Sequence, residues 1–387
     1  MQRRQFLQLG SLWSAACLSG SVAWAAAPAG TGGKPRLLIM VELKGGNDGL
    51  NTVVPYANPA YYALRPTIAI ERDQVLPLDA QTGLHPALLP LMPLWQLGEL
   101  AVVQGVGYPK PNLSHFRSIE IWDTASSSDT VLQTGWLTRQ FAARPLPTGF
   151  IADGIAVGSP ALGPLDGGAR SLVLQSPASF ARQAKLAGDM SVGMHNAALT
   201  HLYKVEDDIR LAARGLVSGA KLDTPFPAHG FGRTVKTAME ALAANRQIGM
   251  FRLTLGSFDT HVNQRATHQR LLTELAEGLG ALQQALTELG CWQDTLIMTY
   301  AEFGRRPQEN RSGGTDHGTA SAHFLLGGAV RGGLYGKAPD LANLDSGNLR
   351  HSVDFRQLYA TACRYCWHSD GEAALGGRYT PLDMLRA

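Results

Sequence analysis

The strongest constraint on this chain is a series of short apolar runs. Each stops at glycine or polar residues, and a helical pattern separates it from the next. The first run, Leu37-Leu-Ile-Met-Val-Glu-Leu43, ends at Gly45-Gly46. Leu100–Val106, Met250–Leu255, Thr295–Tyr300 and His323–Leu326 repeat the pattern, with shorter candidates near Ile151–Val157 and Ser171–Leu174. Apolar runs bounded in this way are the signature of buried strands. Helical spacing of apolar residues covers His85–Leu97, His115–Asp123, Gln264–Leu289 and a closing segment, Asp354–Cys366. Residues 195–215 and 231–245 are helical by the same test and are expected to form a cap or lateral layer. Arg305–Thr319 reads as a polar loop. Strands alternating with helices require a mostly parallel sheet with both faces covered, that is, a three-layer α/β/α sandwich. No repeat or linker divides residues 27–387, so they read as one domain with a helical middle segment at about 190–245.

The N-terminus carries a separate message. Arg3-Arg4-Gln5-Phe6-Leu7 is followed by an uncharged stretch to Ala27, in which Ala23-Trp24-Ala25 offers small residues for cleavage. This is a twin-arginine leader, covering residues 1–26, and it implies export of the folded chain to the periplasm. The twin-arginine translocase is then a partner during export. Ser, Gly and Gln dilute the apolar run and no basic cluster follows it, so no stable membrane anchor is expected. Without Arg3 and Arg4, the 34 basic and 31 acidic side chains become 32 and 31, a net charge of +1. That balance gives no electrostatic case for nucleic acid or an anionic membrane. Of four cysteines, Cys17 leaves with the leader, and an odd three remain, which argues against a disulfide framework. Cys363-Arg-Tyr-Cys366 has redox spacing but follows a helical apolar pattern, as a core turn does.

In open parallel sheets, ligands bind beyond the carboxyl ends of the strands. The polar residues expected there are Asp48 after the first strand, Ser114-His115 after the second, and Asp259 with His261 after the strand at Met250. Glu302 follows the strand at Thr295, and Asp316-His317 precede the next one. Mixed carboxylates and imidazoles suit Zn or Mn better than Ca or Mg. A hydroxyl beside such an ion becomes a nucleophile, which makes Ser114 the catalytic candidate. Each residue also has an ordinary structural reading. Asp48 can form a turn, Ser114 can cap a helix, Asp259, His261, Asp316 and His317 can close loops, and Glu302 can pair with Arg305 or Arg306.

These residues carry a resemblance. Gly45-Gly-Asn-Asp-Gly-Leu-Asn51, Ser114-His-Phe116, Phe258-Asp-Thr-His261, Glu302-Phe-Gly-Arg305, Thr315-Asp-His-Gly318 and Asp354-Phe-Arg356 resemble domain-of-unknown-function family 1501. That family comprises twin-arginine-exported proteins related to sulfatases within the alkaline phosphatase superfamily. The resemblance implies an alkaline-phosphatase-like α/β/α fold. It also implies a metal set drawn from Asp48, Asp259, His261, Glu302, Asp316 and His317, with Ser114 as nucleophile. Asn47, His115, Arg305 and Arg306 are then substrate-binding candidates. Phe303 occupies the position of a usual nitrogen ligand, which impoverishes a second metal site. The Cys-x-Pro-x-Arg string that sulfatases modify is absent.

The leading expectation is a periplasmic, metal-dependent hydrolase of phosphate or related anionic esters. The alternative is a catalytically degenerate relative serving as a binding or assembly protein of the cell envelope. An envelope oxidoreductase using Cys363 and Cys366 is a lesser option without a cofactor fingerprint.

Overall fold

The structure, a computed structural model, describes residues 34–175 and 221–386. The expected leader at 1–26, Cys17, and the part of the expected middle segment between residues 190 and 220 lie outside the described residues. Fourteen strands occur among the described residues: β1 Leu37–Leu43, β2 Val53–Val54, β3 Leu76–Pro77, β4 Gly83–Leu84, β5 Leu100–Gly107, β6 Gly154–Val157, β7 Ser171–Leu174, β8 Met250–Leu255, β9 Thr295–Tyr300, β10 Arg305–Glu309, β11 Thr315–His317, β12 Ser321–Leu326, β13 Gly333–Gly336 and β14 Val353–Asp354. The central sheet runs β13-β5-β12-β9-β1-β8-β6-β7, and β14 adds to β5.

β1 lies at the centre, parallel to both β8 and β9. It is buried on both faces, and its side chains divide by the two-residue alternation of a strand. Leu38 and Met40 enter one apolar layer, with the helices His115–Thr124, Trp136–Ala143 and Phe355–Trp367. Ile39, Val41 and Leu43 enter the opposite layer, with the helices Gly230–Ala244 and Gln264–Glu288. The fold is therefore an α/β/α sandwich around a mostly parallel sheet. The helix Gly230–Ala244 occupies the described end of the expected middle segment.

Two local expectations need correction. Arg305–Thr319 is not a plain loop, because β10 and β11 pair as an antiparallel hairpin within it. His85–Leu97 is not one helix; a 3-10 stretch, Pro86–Leu91, precedes a short α-helix, Met92–Gln96. Pro90 and Pro93 remove the amide donors that a continuous α-helix would need there.

The hairpin also decides the direction of β12. The chain leaves the carboxyl end of β9, folds back through β10 and β11, and re-enters the sheet from the same edge. β12 is accordingly antiparallel to both β9 and β5. A parallel return would need a crossover to the far edge. The carboxyl ends of β1, β5, β8 and β9 thus share one rim with the amino end of β12. No helix among the described residues is long and apolar enough to cross a membrane.

Candidate metal centre

Four loops meet at this rim. The helix His115–Thr124 begins shortly after β5, with Ser114 at its N-cap position and His115 as its first residue. Asp259 and His261 follow β8, Glu302 follows β9, and His317 closes β11. His115, Asp259 and His317 each direct one donor atom into a group whose atoms lie within 4.8 Å of one another.

The orientation of both imidazoles is fixed from behind. His115 Nδ1 stands 3.0 Å from Glu302 Oε1, and His317 Nδ1 stands 2.8 Å from the Leu113 carbonyl oxygen. A carboxylate and a carbonyl can only accept, so each Nδ1 carries the hydrogen and donates it. Each Nε2 is left as a lone pair, and both face Asp259. His115 Nε2 lies 3.4 Å from Oδ2 and His317 Nε2 lies 3.2 Å from Oδ1. Donors about 2.0–2.1 Å from a tetrahedral zinc stand roughly 3.3 Å apart, so the spacing suits such an ion. Metal-binding histidines commonly have the other nitrogen anchored in this way. Burial holds the His317 imidazole below its ordinary pKa and outweighs the Leu113 carbonyl, which favours the neutral, ligating form.

Asp259 is half-exposed. Burial alone would raise its carboxyl, but the hydrogen bond and charge of Arg305 hold it down to about 2. It is ionised at any ordinary pH. His261 adds a further nitrogen, with Nε2 3.1 Å from Asp259 Oδ1 and 3.0 Å from His317 Nε2. Asp316 sits outside the group; its Oδ1 is 3.5 Å from His261 Nδ1 and accepts from Asn310 Nδ2 at 3.2 Å.

Other expected site residues are placed differently. Asp48 is fully buried and does not join the group. Its carboxylate caps the helix Gly49–Thr52 and accepts Arg65 Nη1 at 2.6 Å, Arg65 Nη2 at 3.0 Å, and Gln264 Nε2. These bonds engage both carboxylate oxygens of Asp48 within the protein. Asn47 is equally spent, exchanging bonds with Thr52 and accepting from His268 Nε2 at 2.9 Å.

Arg305 is buried and donates to the backbone oxygens of Gly45, Gly46, Phe258 and Thr315 as well as to Asp259. These contacts engage all three nitrogens of its guanidinium. Arg306 offers its backbone carbonyl to Arg65 at 3.0 Å. Glu302 acts through its contacts: Oε1 accepts the Gly45 N–H at 2.8 Å and orients His115, while buried Oε2 meets no partner among the described residues. His115, expected among the substrate contacts, is also placed in the group that could hold a metal ion. The Ser-His pair after the second strand was the available signal, and the hydroxyl drew attention from the imidazole.

Ser114 is exposed, and its side chain makes no capping hydrogen bond. Its N–H donates instead to Asn112 Oδ1 at 2.8 Å. The capping role open to this serine is therefore not used. Phe303 is buried against the centre, its ring 4.3 Å from that of His317 and 4.9 Å from that of His115. Cys363 and Cys366 lie inside the helix Phe355–Trp367, where burial pushes both thiols up. Protonated, enclosed thiols make poor redox groups, which removes the support for an oxidoreductase.

Solved structures similar to this chain include a phosphonate monoester hydrolase from Silicibacter pomeroyi, at 11% identity and a TM-score of 0.45, covering 89% of this chain and 75% of that one. A sulfatase from Pseudoalteromonas sp. is similar at 12% identity and a TM-score of 0.36, covering 90% and 71%. A protein in the alkaline phosphatase superfamily from Vibrio parahaemolyticus is similar at 10% identity and a TM-score of 0.35, covering 80% and 64%. No curated protein matches the sequence. The family whose sequence model matches, over residues 80–370, is described as "Protein of unknown function (DUF1501)", and this chain belongs to that family.

Proposed function

We propose that this protein is a metal-dependent hydrolase of phosphate or related anionic esters, with Ser114 as its nucleophile. The reading rests on the pinned imidazoles of His115 and His317, whose free Nε2 atoms converge with Asp259. His115, Asp259 and His317 would hold the ion, with His261 at their side, and this donor set favours Zn or Mn. Such an ion would supply positive charge where an ester oxygen becomes negative, and would ease loss of the proton from a nearby hydroxyl.

The chain's own residues do the rest. Ser114 Oγ, free of capping and one residue before His115, gives its proton to water and bonds to the ester's central atom as that atom's bond to the leaving oxygen breaks. The leaving oxygen takes a proton from water, and a second water then cleaves the Ser114 ester and frees the serine. The first amides of the helix His115–Thr124 favour an anion beside Ser114. These amides, with Arg306, are the proposed anion-binding groups. Phe303 packs against both imidazoles, while Glu302 orients His115 and the Leu113 carbonyl orients His317. The proposed setting is the periplasm, reached by twin-arginine export, and the proposed substrates are small anionic esters.

The test is turnover of p-nitrophenyl phosphate and bis(p-nitrophenyl) phosphate by the full chain, Ser114→Ala and His317→Ala. The expected result is a loss on the order of a thousandfold or more in each variant. Equal rates in Ser114→Ala and the parent remove Ser114 as nucleophile. A second reading draws on Phe303 and Asp48: an aromatic ring fills the place of a second metal's nitrogen ligand, and Arg65 neutralises the carboxylate that would join it. It makes the protein a degenerate relative with a binding or assembly role in the envelope. Metal retained without turnover of any ester would favour it.

A further inference from the structure

A cavity of about 320 Å³ shares no lining residue with the His115–Asp259–His317 group. It forms where the sheet edge is interrupted. β13 and β14 both run parallel to β5, one ending at Gly336 opposite Gln104, the other starting at Val353 opposite Val106. Between them the chain departs as the loop 337–352. At the same place β5 carries one residue too many for its partner β12. Ser321 faces Val106 and His323 faces Val103, so Ala322 stands against both Gln104 and Gly105. Such a bulge re-aims a side chain. Gly105 permits it with φ +66°, and a Cβ there would run into Ser352 Oγ.

Gln104 lines the cavity, is 5% exposed, and its carboxamide makes no hydrogen bond to protein among the described residues. The carboxamide is therefore open to the cavity, where a polar ligand atom can pair with it. Leu50, Val53 and Leu349 supply apolar wall. The mouth is cationic. Lys337, next to Gly336 and therefore beside the bulge, has no carboxylate within ion-pair distance among the described residues. Arg350 is already drawn to Asp345 at 3.7 Å. The acidic residue at the mouth, Asp340, turns its carboxylate into its own loop, bonding the N–H groups of Ala342 (3.0 Å) and Asn343 (3.2 Å) and Asn343 Nδ2 (2.7 Å).

We propose that this cavity binds a small organic anion with an apolar body. The head meets the Lys337 ammonium and a Gln104 N–H, and the body lies against Leu50, Val53 and Leu349. The volume falls at the lower end for small-molecule sites, and a few polar groups in an apolar wall are their usual composition.

Titration calorimetry of the full chain with octanoate, octyl phosphate and, as a neutral control, octanol tests this. The expected result is saturable one-to-one binding of at least one anion. Which anion binds identifies a carboxylate or a phosphate head. Binding should weaken at least about tenfold in Lys337→Glu and vanish in Ala338→Trp, which fills the cavity. Both positions are exposed, and unchanged melting temperatures will show that the variants fold. The proposal is overturned if neither anion saturates, if octanol binds as well as the anions, or if either variant binds like the parent.

Discussion

One oxygen of Glu302 does the orienting at the proposed centre, accepting the Gly45 N–H and the His115 Nδ1–H together. Glu302→Gln keeps the shape but offers a neutral acceptor. Outer partners of this kind typically change metal affinity ten- to a hundredfold. Competition with a chelator should show a loss of that size, and an unchanged affinity would mean that Glu302 does not act through His115. Asp48 predicts something different. Burial alone would raise its carboxyl, but the charge and hydrogen bonds of Arg65, with His268 and Gln264, carry it below its ordinary value. A carboxyl lowered on folding contributes stability that is complete above its unfolded value, about 3.9, and fades as pH falls through the folded value. Asp48→Asn leaves Arg65 buried and unpaired, so it should cost about 3–5 kcal/mol at pH 7. Urea melts should show that gap narrowing below about pH 4, and a gap constant with pH would contradict the assignment. The letters around Asp48 read as a ligand because Arg65, 17 residues away, gives no local sign of pairing with it. His115 was hidden in the opposite sense, standing beside a serine with the more conspicuous chemistry.

At the scale of elements, the sheet was largely legible. β1, β5, β8 and β9 are continuous apolar runs, and burial on both faces demands that composition. The hairpin of β10 and β11 was not. Its buried positions are filled by Arg305, Pro307 and Thr315; the two polar ones are satisfied by backbone oxygens and by Gln264, and proline is not a strand former, so no strand-like apolar alternation marks the hairpin. This hairpin carries His317 and abuts His261 at Gly314, where a Cβ would strike the His261 carbonyl. Gly314→Ala should therefore push the hairpin away from the loop that carries Asp259 and His261. The expected outcome is metal affinity reduced at least about tenfold in a protein that still melts cooperatively. Full metal affinity in Gly314→Ala would show that the close approach is not needed.

For the whole molecule, the sandwich collects side chains from Asp259 to His317 at one rim because four parallel strands end there and an antiparallel one begins. The sequence could name most of these residues; which of them turn toward each other depends on side-chain partners on distant segments. The proposed twin-arginine leader makes a prediction at this scale too. Replacing Arg3 and Arg4 together by lysine should leave the protein in the cytoplasm, as read by cell fractionation, and normal export of that variant would exclude the twin-arginine route. The central claim concerns one ion held by His115, Asp259 and His317. Elemental analysis of full-length protein purified after native expression tests it most directly. The account predicts about one Zn or Mn per chain, lost in both His115→Ala and His317→Ala. Metal-free parent protein, or metal retained by both variants, would contradict it.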